Sequence, residues 1–197
     1  MIYLPEDKQP KAYYTNYNQY VGTIKIKDGL VDITDPCYEN DTWCAMFSQK
    51  VKAGKYKCYA SVVNFRAKYE FEATDIKALL GKKKVGQTTI LTDRRLVELV
   101  IKHESISTDI PDKAWEKIGR VGVDAGLCGF YNHKPDFTED DKWLKFCDSL
   151  KSFPYVRNIT CDIKPYGITV SSGFGDGYYD VLAYKVGEDI VALKLVF

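Results

Sequence analysis

The chain has 197 residues, which is long enough for one domain, or at most two, with a real hydrophobic core. Hydrophobic residues make up 45% and charged residues 28% of the sequence; these are globular averages and argue against a disordered chain. The net charge of +1 argues against a binder of long nucleic acids, although it leaves room for a local basic patch. No basic segment followed by an apolar one opens the chain, and no apolar run approaches the ~18 residues of a membrane span, so we expect a cytoplasmic protein.

The N-terminal part of the chain predicts an arm followed by β-strands. Residues 1–18 are polar and rich in Tyr, which predicts an N-terminal arm. From Tyr20 onward apolar and polar residues alternate, as expected for a strand that is buried on one face. Asp28 and Gly29 separate this run from a second one at residues 30–34. A DG pair between two alternating runs predicts a β-hairpin.

The central part predicts two long strands and the best helix of the chain. An alternating strand is predicted over residues 55–65, and a short helical turn with an exposed Lys-rich loop over residues 74–87. Residues 88–103 fit a helical stripe in part, but their Ile and Val content favours a strand. Residues 138–152 predict an amphipathic helix that Thr138 caps and that acidic residues stabilise in its first turn.

Three further strands are predicted at the C-terminus, over residues 166–172, 178–186 and 189–197, with a turn at Gly187. The last strand is almost continuously apolar, which predicts a central position covered on both faces. The sequence therefore predicts a mainly β (α+β) fold. We expect a single domain over residues 1–197 that forms an antiparallel β-sandwich or a partly open barrel with one or two helices.

Cysteine spacing gives no sign of a metal site. The six cysteines are Cys37, Cys44, Cys58, Cys128, Cys147 and Cys161. No two of them form a CxxC pair, and the chain has only two histidines, so we expect no cofactor. The thiols should be reduced and mostly buried, above all Cys58 and Cys147 on the apolar stripes of their elements.

Aromatic residues are the one compositional skew, with 15 Tyr, 9 Phe and 3 Trp. Tyr and Trp suit surfaces that are both apolar and hydrogen-bonding. This composition predicts a ligand-binding face or a subunit interface, the latter in a homo-oligomer.

Three short segments contain residues that the fold alone does not require. They are Asp35-Pro36-Cys37-Tyr38, Val123-Asp124-Ala125-Gly126 and Ser171-Ser172-Gly173-Phe174-Gly175-Asp176-Gly177-Tyr178. Each places a carboxylate beside Gly or Pro at the end of an apolar, strand-like run. Side chains at strand ends can converge while the sheet holds their backbones, and sites are often built in this way.

The glycine-rich segment at residues 173–177 has two interpretations. Asp176 between two glycines is typical of a tight hairpin that requires positive φ. Alternatively, the small residues after Ser171 and Ser172 expose backbone N–H groups to an anion, and the ring of Tyr178 stacks on a flat group.

The other two segments also allow a structural and a functional interpretation. Asp35 can hydrogen-bond its own turn, and Pro36 can end a strand because it lacks an N–H group. In the functional interpretation, Tyr38 and Trp43 add two rings to that carboxylate. Asp124 follows a run rich in Val, where a buried and unpaired carboxylate would lower stability, so this residue favours a function.

The motif order GxIxIxDGxVxITDPCY, AGKYKCY, VDAGxCGFY and SGFGDGYY, followed by an apolar strand, covers nearly the whole chain. It resembles the family catalogued as domain of unknown function 4241 and similar small proteins of bacteriophages and mobile elements that carry DPCY and VDAG. The resemblance implies a fold and an origin, and no assigned activity. The matched positions are Asp35, Cys37, Tyr38, Asp124, Gly126, Ser172, Gly173, Gly175, Asp176, Gly177 and Tyr178.

The leading hypothesis is a non-catalytic protein that binds a small molecule, with no membrane partner. A nucleotide-type ligand such as a cyclic nucleotide would place its phosphates on Lys, Arg and backbone N–H groups and its base on Tyr or Trp. By analogy with mobile-element proteins, it would act as a sponge that sequesters a host immune signal. The predicted ligand-binding residues are Asp35, Tyr38, Trp43, Asp124, Ser171, Ser172, Gly173, Asp176 and Tyr178.

Three alternatives stay open. Asp35, Asp124 and Asp176 could hold a divalent metal ion in a hydrolase. Cys128 and His133 could form a nucleophilic dyad. An interaction or immunity protein would instead act through its aromatic surface. If the three segments share one site, the three aspartates should lie on the same side of the domain.

Overall fold

A computed structural model describes residues 16–38, 43–44, 47–69, 89–132, 145, 156–160 and 165–197. Nearly all of these residues lie in β-strands or in the turns between them. The described strands form two antiparallel sheets and do not close into a barrel, so the prediction of a mainly β fold is confirmed, and the fold is a β-sandwich.

The described residues contain eleven strands and a 3-10 turn at Asp112–Ala114. The strands are β1 (Asn16–Ile26), β2 (Leu30–Thr34), β3 (Phe47–Lys50), β4 (Gly54–Tyr69), β5 (Thr89–His103), β6 (Glu116–Val123), β7 (Leu127–Tyr131), β8 (Val156–Thr160), β9 (Pro165–Ser171), β10 (Gly177–Val186) and β11 (Asp189–Val196).

The two sheets differ in size. The six-stranded sheet has the order β1-β4-β5-β11-β10-β6, and the five-stranded sheet has the order β3-β2-β7-β9-β8. Strand β11 lies between β5 and β10, as its apolar sequence predicted. Between the described strands the chain therefore passes from one sheet to the other four times, through short connections at the ends of the strands.

The core consists of alternate residues that point inward from both sheets. In β4 the side chains of Tyr56, Cys58 and Ala60 are fully buried, and in β5 those of Leu99 and Ile101 are. All five belong to one apolar cluster to which both sheets contribute. Removing most of a buried Leu-sized side chain from such a cluster costs about 2–5 kcal/mol, so the core holds the strand ends in fixed positions.

Two compact units can be distinguished along the chain. The larger one comprises Asn18–Ser61 and Leu96–Phe197, and everything described below lies within it. The smaller one comprises Met1–Tyr17 and Val62–Arg95, of which the structure describes parts of β1, β4 and β5. The prediction of a single domain over residues 1–197 stays a prediction.

Most strand predictions are confirmed, including the ambiguous segment that forms β5. The helix predicted over residues 138–152 lies outside the described residues except for Lys145, and so do the turn and loop at residues 74–87 and most of the N-terminal arm. Among the described residues, no helix has the length and apolar character needed to cross a membrane.

The hairpin predicted at Asp28 and Gly29 is wrong. Gly29 has the expected positive φ of 72°, but β1 belongs to the six-stranded sheet and β2 to the five-stranded sheet. The turn is held from elsewhere in the chain, because the carbonyl of Gly29 accepts a hydrogen bond of 2.8 Å from the N–H of Val51. The same correction applies to the glycine-rich segment, since β9 and β10 also belong to different sheets. A positive φ marks a sharp change of direction, whichever strand follows it.

Candidate functional site

The three sequence segments form one cluster where the chain passes between the sheets. Asp35 follows β2, residues 124–126 connect β6 to β7, and residues 172–176 connect β9 to β10. The last two connections each join a strand of one sheet to a strand of the other. We call the group the corner cluster; its members are Asp35, Tyr38, Trp43, Cys44, Asp124, Ser172, Asp176 and Tyr178.

Asp35 holds the corner cluster together through backbone hydrogen bonds. Its side chain is fully buried. Oδ2 accepts hydrogen bonds from the N–H groups of Asp124 at 2.9 Å and Ala125 at 2.6 Å, while Oδ1 accepts one from Cys37 at 2.9 Å. Burial raises the pKa of this carboxyl above its ordinary value, and the three N–H groups oppose that rise. Asp35 therefore fastens the end of β2 to the β6–β7 connection.

Ser172 connects the segment at residues 171–178 to the segment at residues 123–126 by hydrogen bonding. Its N–H donates to the carbonyl of Gly126 at 2.9 Å, and its buried hydroxyl donates to the carbonyl of Gly175 at 2.5 Å. The hydroxyl of Tyr179 donates to that same carbonyl at 2.7 Å. Two hydroxyls therefore bind the carbonyl of Gly175, and positive φ at Gly173 and Gly175 lets the chain turn sharply there.

Asp124 and Asp176 lie near Asp35 but are more accessible. The carboxylate of Asp124 accepts a hydrogen bond from Tyr38, which, as the main cause, raises the pKa of Tyr38 to about 12. Burial raises the pKa of Cys44 to about 12, and the carboxylates of all three aspartates add to the rise. All three carboxylates are therefore near enough to the Cys44 thiol to affect its pKa.

The aromatic members of the corner cluster are partly exposed. The Trp43 and Tyr178 rings meet edge to face with centroids 5.5 Å apart, and they are 44% and 55% exposed. The guanidinium of Arg120 lies 5.7 Å from the centre of the Tyr178 ring. Phe174 in the same connection is also exposed. The Trp43 and Tyr178 rings therefore form an exposed patch with Arg120.

The corner cluster does not match the requirements of the metal hypothesis. Within the described residues, no group of three or more His, Cys, Asp or Glu side chains could hold a metal ion. Asp35 in particular already accepts three hydrogen bonds. Cys128 is fully buried, and burial together with Asp35 raises its thiol pKa well above the ordinary value, which opposes a nucleophilic role. His133 lies outside the described residues.

A second location was not predicted: a cavity on the outer face of the six-stranded sheet. Its volume is about 490 Å³. We call it the outer cavity; its lining residues are Tyr20, Tyr59, Ser61, Glu98, Val100, Lys102, Asp109, Ile110, Asp112, Trp115 and Lys194.

Sheet order explains why the outer cavity exists. Strands β5 and β6 follow each other in the chain, but β11 and β10 lie between them in the sheet. Residues 104–115 must therefore cross three strand spacings, about 14 Å at roughly 4.8 Å each. They cross over the outer face, because Trp115 contacts Lys194 of β11 and Tyr184 of β10. We call residues 104–115 the crossing segment; it covers part of the outward-facing side chains of the sheet.

Lys194 is the most buried charge of the outer cavity. Its side chain is only 9% exposed, and Nζ lies 4.6 Å from the centre of the Trp115 ring and 3.6 Å from Oε1 of Glu98. The other oxygen of Glu98 accepts a hydrogen bond of 3.2 Å from Ser61. At 3.6 Å the ion pair is longer than a hydrogen bond, so the ammonium group keeps donors that it can direct to a ligand.

Lys102 lies beside Lys194 on the neighbouring strand. Its Nζ is 4.8 Å from the centre of the Tyr59 ring and 3.6 Å from Oδ1 of Asp109, which is fully exposed. Tyr20 packs edge to face on Tyr59 with centroids 5.8 Å apart. The outer cavity therefore combines two ammonium groups with rings from three separate segments.

The sequence did not predict the outer cavity, because its residues are scattered over four strands and a connecting segment and form no local motif. One signal was present: Lys194 interrupts the otherwise apolar strand β11 between Leu193 and Leu195. A lysine at the centre of a strand covered on both faces needs partners for its charge. That requirement could have directed attention to the outer face.

Comparison with protein-family models, with curated proteins and with solved structures finds no match for this chain. The resemblance to domain of unknown function 4241 therefore stays a prediction that depends on the sequence motifs alone.

Proposed function

We propose that the protein binds a small nucleotide-type ligand in the outer cavity without altering it chemically. The observation that carries the proposal is the pairing of Lys102 and Lys194 with the Tyr20, Tyr59 and Trp115 rings around one cavity. Ammonium groups bind phosphate oxygens, and aromatic rings offer stacking surfaces to a base. A volume of about 490 Å³ also falls in the range of about 300–1,000 Å³ that is usual for small-molecule sites.

The side chain of Lys194 is already held in place before a ligand binds, which supports the proposal. Lys194 is fixed by Glu98 and Trp115, so little side-chain entropy remains to be lost when a ligand arrives. Its low exposure also strengthens any hydrogen bond that it donates, because water competes less in a partly enclosed site.

A role in sequestration follows from binding without turnover. In this proposal the protein acts in the cytoplasm and lowers the concentration of a nucleotide signal by holding it. The motif resemblance to bacteriophage and mobile-element proteins supports this role, since such proteins gain from silencing a host immune signal.

The test is titration calorimetry with purine and pyrimidine nucleosides, cyclic mononucleotides, cyclic dinucleotides and linear nucleotides. We expect at least one of them to bind with a dissociation constant below about 100 µM and to be recovered unchanged by chromatography. Lys194→Met should weaken that binding about tenfold or more, because a hydrogen bond from a charged group contributes about 1.5–3 kcal/mol.

The matched control is Lys185→Met. Lys185 lies on neighbouring strand β10, where it pairs with Glu116 at 2.9 Å outside the outer cavity. This variant should bind as the unmodified protein does. Absence of binding across the whole panel, or equal losses in both lysine variants, would contradict the proposed function.

The exposed rings of the corner cluster favour a second candidate function, in which this surface binds a partner protein or a second copy of the chain. Trp, Tyr and Arg are the residues most enriched at the energetic centres of interfaces, and Trp43, Tyr178 and Arg120 lie together here. Asp124 and Asp176 would supply the polar rim. The predicted binding residues of the three segments would then serve a macromolecular partner.

This candidate has a separate test. Light scattering of the purified protein should show a dimer or larger oligomer if the patch binds a second copy, and Trp43→Ser should shift the population to monomers. A protein that is monomeric at concentrations near ~100 µM would exclude self-association by this patch.

A further inference from the structure

The charges around the outer cavity restrict which nucleotide-type ligand it can hold. The lining contains two lysines, Lys102 and Lys194, and three acidic residues, of which Asp109 and Asp112 are exposed and Glu98 has a side chain only 33% exposed. Glu98 is therefore the carboxylate whose charge water screens least, and a ligand with several phosphate charges would meet that charge at close range. A neutral ligand would leave the ammonium groups without a new partner.

We propose that the outer cavity selects a ligand with a single negative charge beside its ring system, of the class of a nucleoside cyclic monophosphate, and that Glu98 enforces this selection. The inference rests on the proposed function. It adds the charge of the ligand and the residue, Glu98, that selects for this charge.

Strand register places Lys102 and Lys194 side by side, which supports the binding of one phosphodiester by both. Lys194 pairs with Val100, and Lys102 pairs with Ala192, so the two lysines are diagonal neighbours on the same face of β5 and β11. Such neighbours lie about 7–8 Å apart at their Cα atoms, and lysine side chains are long enough to meet between them. One phosphodiester, with its two unesterified oxygens, matches two donors.

Glu98 lies on the other side of Lys194 and sets the limit on negative charge. It is diagonal to Lys194 in the same register, opposite Val196; its carboxylate accepts a hydrogen bond from Ser61 and forms the 3.6 Å ion pair with Lys194. A second or third phosphate next to that carboxylate would be repelled. The same carboxylate can accept a hydrogen bond from an amino group of a base or from a sugar hydroxyl, which a cyclic nucleotide carries.

The experiment compares ligands that share a base and differ in charge. Calorimetry with adenosine, its 3′,5′-cyclic monophosphate and its triphosphate, and with the matching guanosine series, should give the tightest binding for the cyclic monophosphate of one series. We expect a preference of about tenfold over the triphosphate at low salt, which declines at an ionic strength near ~0.3 M because the repulsion is screened.

The variant Glu98→Gln keeps the size of the side chain and removes its charge. It should improve binding of the triphosphate relative to the cyclic monophosphate by about tenfold. The control is Glu104→Gln, an exposed residue at the start of the crossing segment that does not line the outer cavity; it should leave the ratio unchanged.

The outcomes separate this inference from the proposed function. Equal or tighter binding of any ligand with two or more charges, or a ratio that Glu98→Gln leaves unchanged, would overturn the inference and leave nucleotide binding in place. If no member of either series binds, and no other nucleotide does, both the inference and the proposed function are wrong.

Discussion

The corner cluster and the outer cavity both combine carboxylates with aromatic rings, yet their polar groups have different partners. In the corner cluster Asp35 accepts three backbone hydrogen bonds of 2.6–2.9 Å and is fully buried. In the outer cavity the two lysines have carboxylate partners at 3.6 Å, and a partly open cavity lies next to them. Short bonds to the backbone fix a fold, whereas long ion pairs beside a cavity can exchange their partner for a ligand.

This difference shows that a carboxylate beside Gly or Pro at a strand end is not by itself a sign of a site. A chain that passes between two sheets exposes N–H groups at the corner, and a buried aspartate satisfies them. Variants that act on one location and leave the other unchanged test this difference.

The largest effect should come from Asp35→Ala. Three N–H groups would lose a charged acceptor in a buried corner, so we expect the free energy of unfolding to fall by about 3–4 kcal/mol in urea denaturation. Asp176→Ala, in the same cluster but exposed, should change it by less than about 0.5 kcal/mol. Similar small losses in both variants would mean that the buried carboxylate does not hold the corner.

A second test compares two glycines with nearly the same φ. Gly173 has a φ of 64° and Gly187 a φ of 62°, so an alanine at either position is strained by a similar amount. A Cβ at Gly173 would also overlap the backbone carbonyl of Leu96, whereas nothing lies within 4 Å of one at Gly187. We expect Gly187→Ala to cost about 1 kcal/mol and Gly173→Ala about 2–3 kcal/mol. Equal costs would show that the glycine-rich corner can move away from β5.

The strands of this fold could be predicted, and their partners could not. The alternation in β4 and the Ile and Val content of β5 identify strands, because burial of one face leaves a period of two in the sequence. Positive φ at Gly29 was also correctly expected. A turn and a passage between sheets need the same local backbone, however, and only long-range packing decides which strand comes next.

The two locations also differ in how far the sequence predicts them. The corner cluster could be predicted because each segment concentrates unusual residues within a few positions. The outer cavity draws Tyr59, Glu98, Lys102 and Lys194 from the outward positions of three strands, where a polar residue normally faces water. The crossing segment covers it only because β10 and β11 lie between β5 and β6, and no local sequence pattern reveals that strand order.

A third prediction tests whether the buried thiols in and near the corner cluster are shielded from a small reagent. Cys37 is half-buried, while Cys44, Cys58 and Cys128 are fully buried and each has a thiol pKa raised mainly by burial. In the native protein at pH 8, iodoacetamide should modify Cys37 about tenfold faster than any of these three, as followed by mass spectrometry of each site. Rapid modification of Cys128 would reopen the hypothesis of a nucleophilic dyad and would contradict a closed corner.

The smallest effect, and the one that separates the two locations most directly, belongs to Asp124→Asn. Asn keeps the shape of the side chain and removes the charge that, through its hydrogen bond, is the main cause of the high pKa of Tyr38. The pKa of Tyr38 should therefore fall from about 12 toward its ordinary value of 10.0, which NMR of the tyrosine ring carbons can follow, with Tyr38→Phe to assign the signal.

The same pKa sets the sign of a pH effect. Because Tyr38 holds its proton more tightly in the folded chain, its contribution to stability is complete below pH 10 and is lost as the pH rises toward 12. Asp124→Asn should remove that alkaline loss while nucleotide binding in the outer cavity stays as in the unmodified protein. If Asp124→Asn instead abolishes ligand binding with the fold intact, the three segments form the ligand site, and the outer cavity is only a gap beneath the crossing segment.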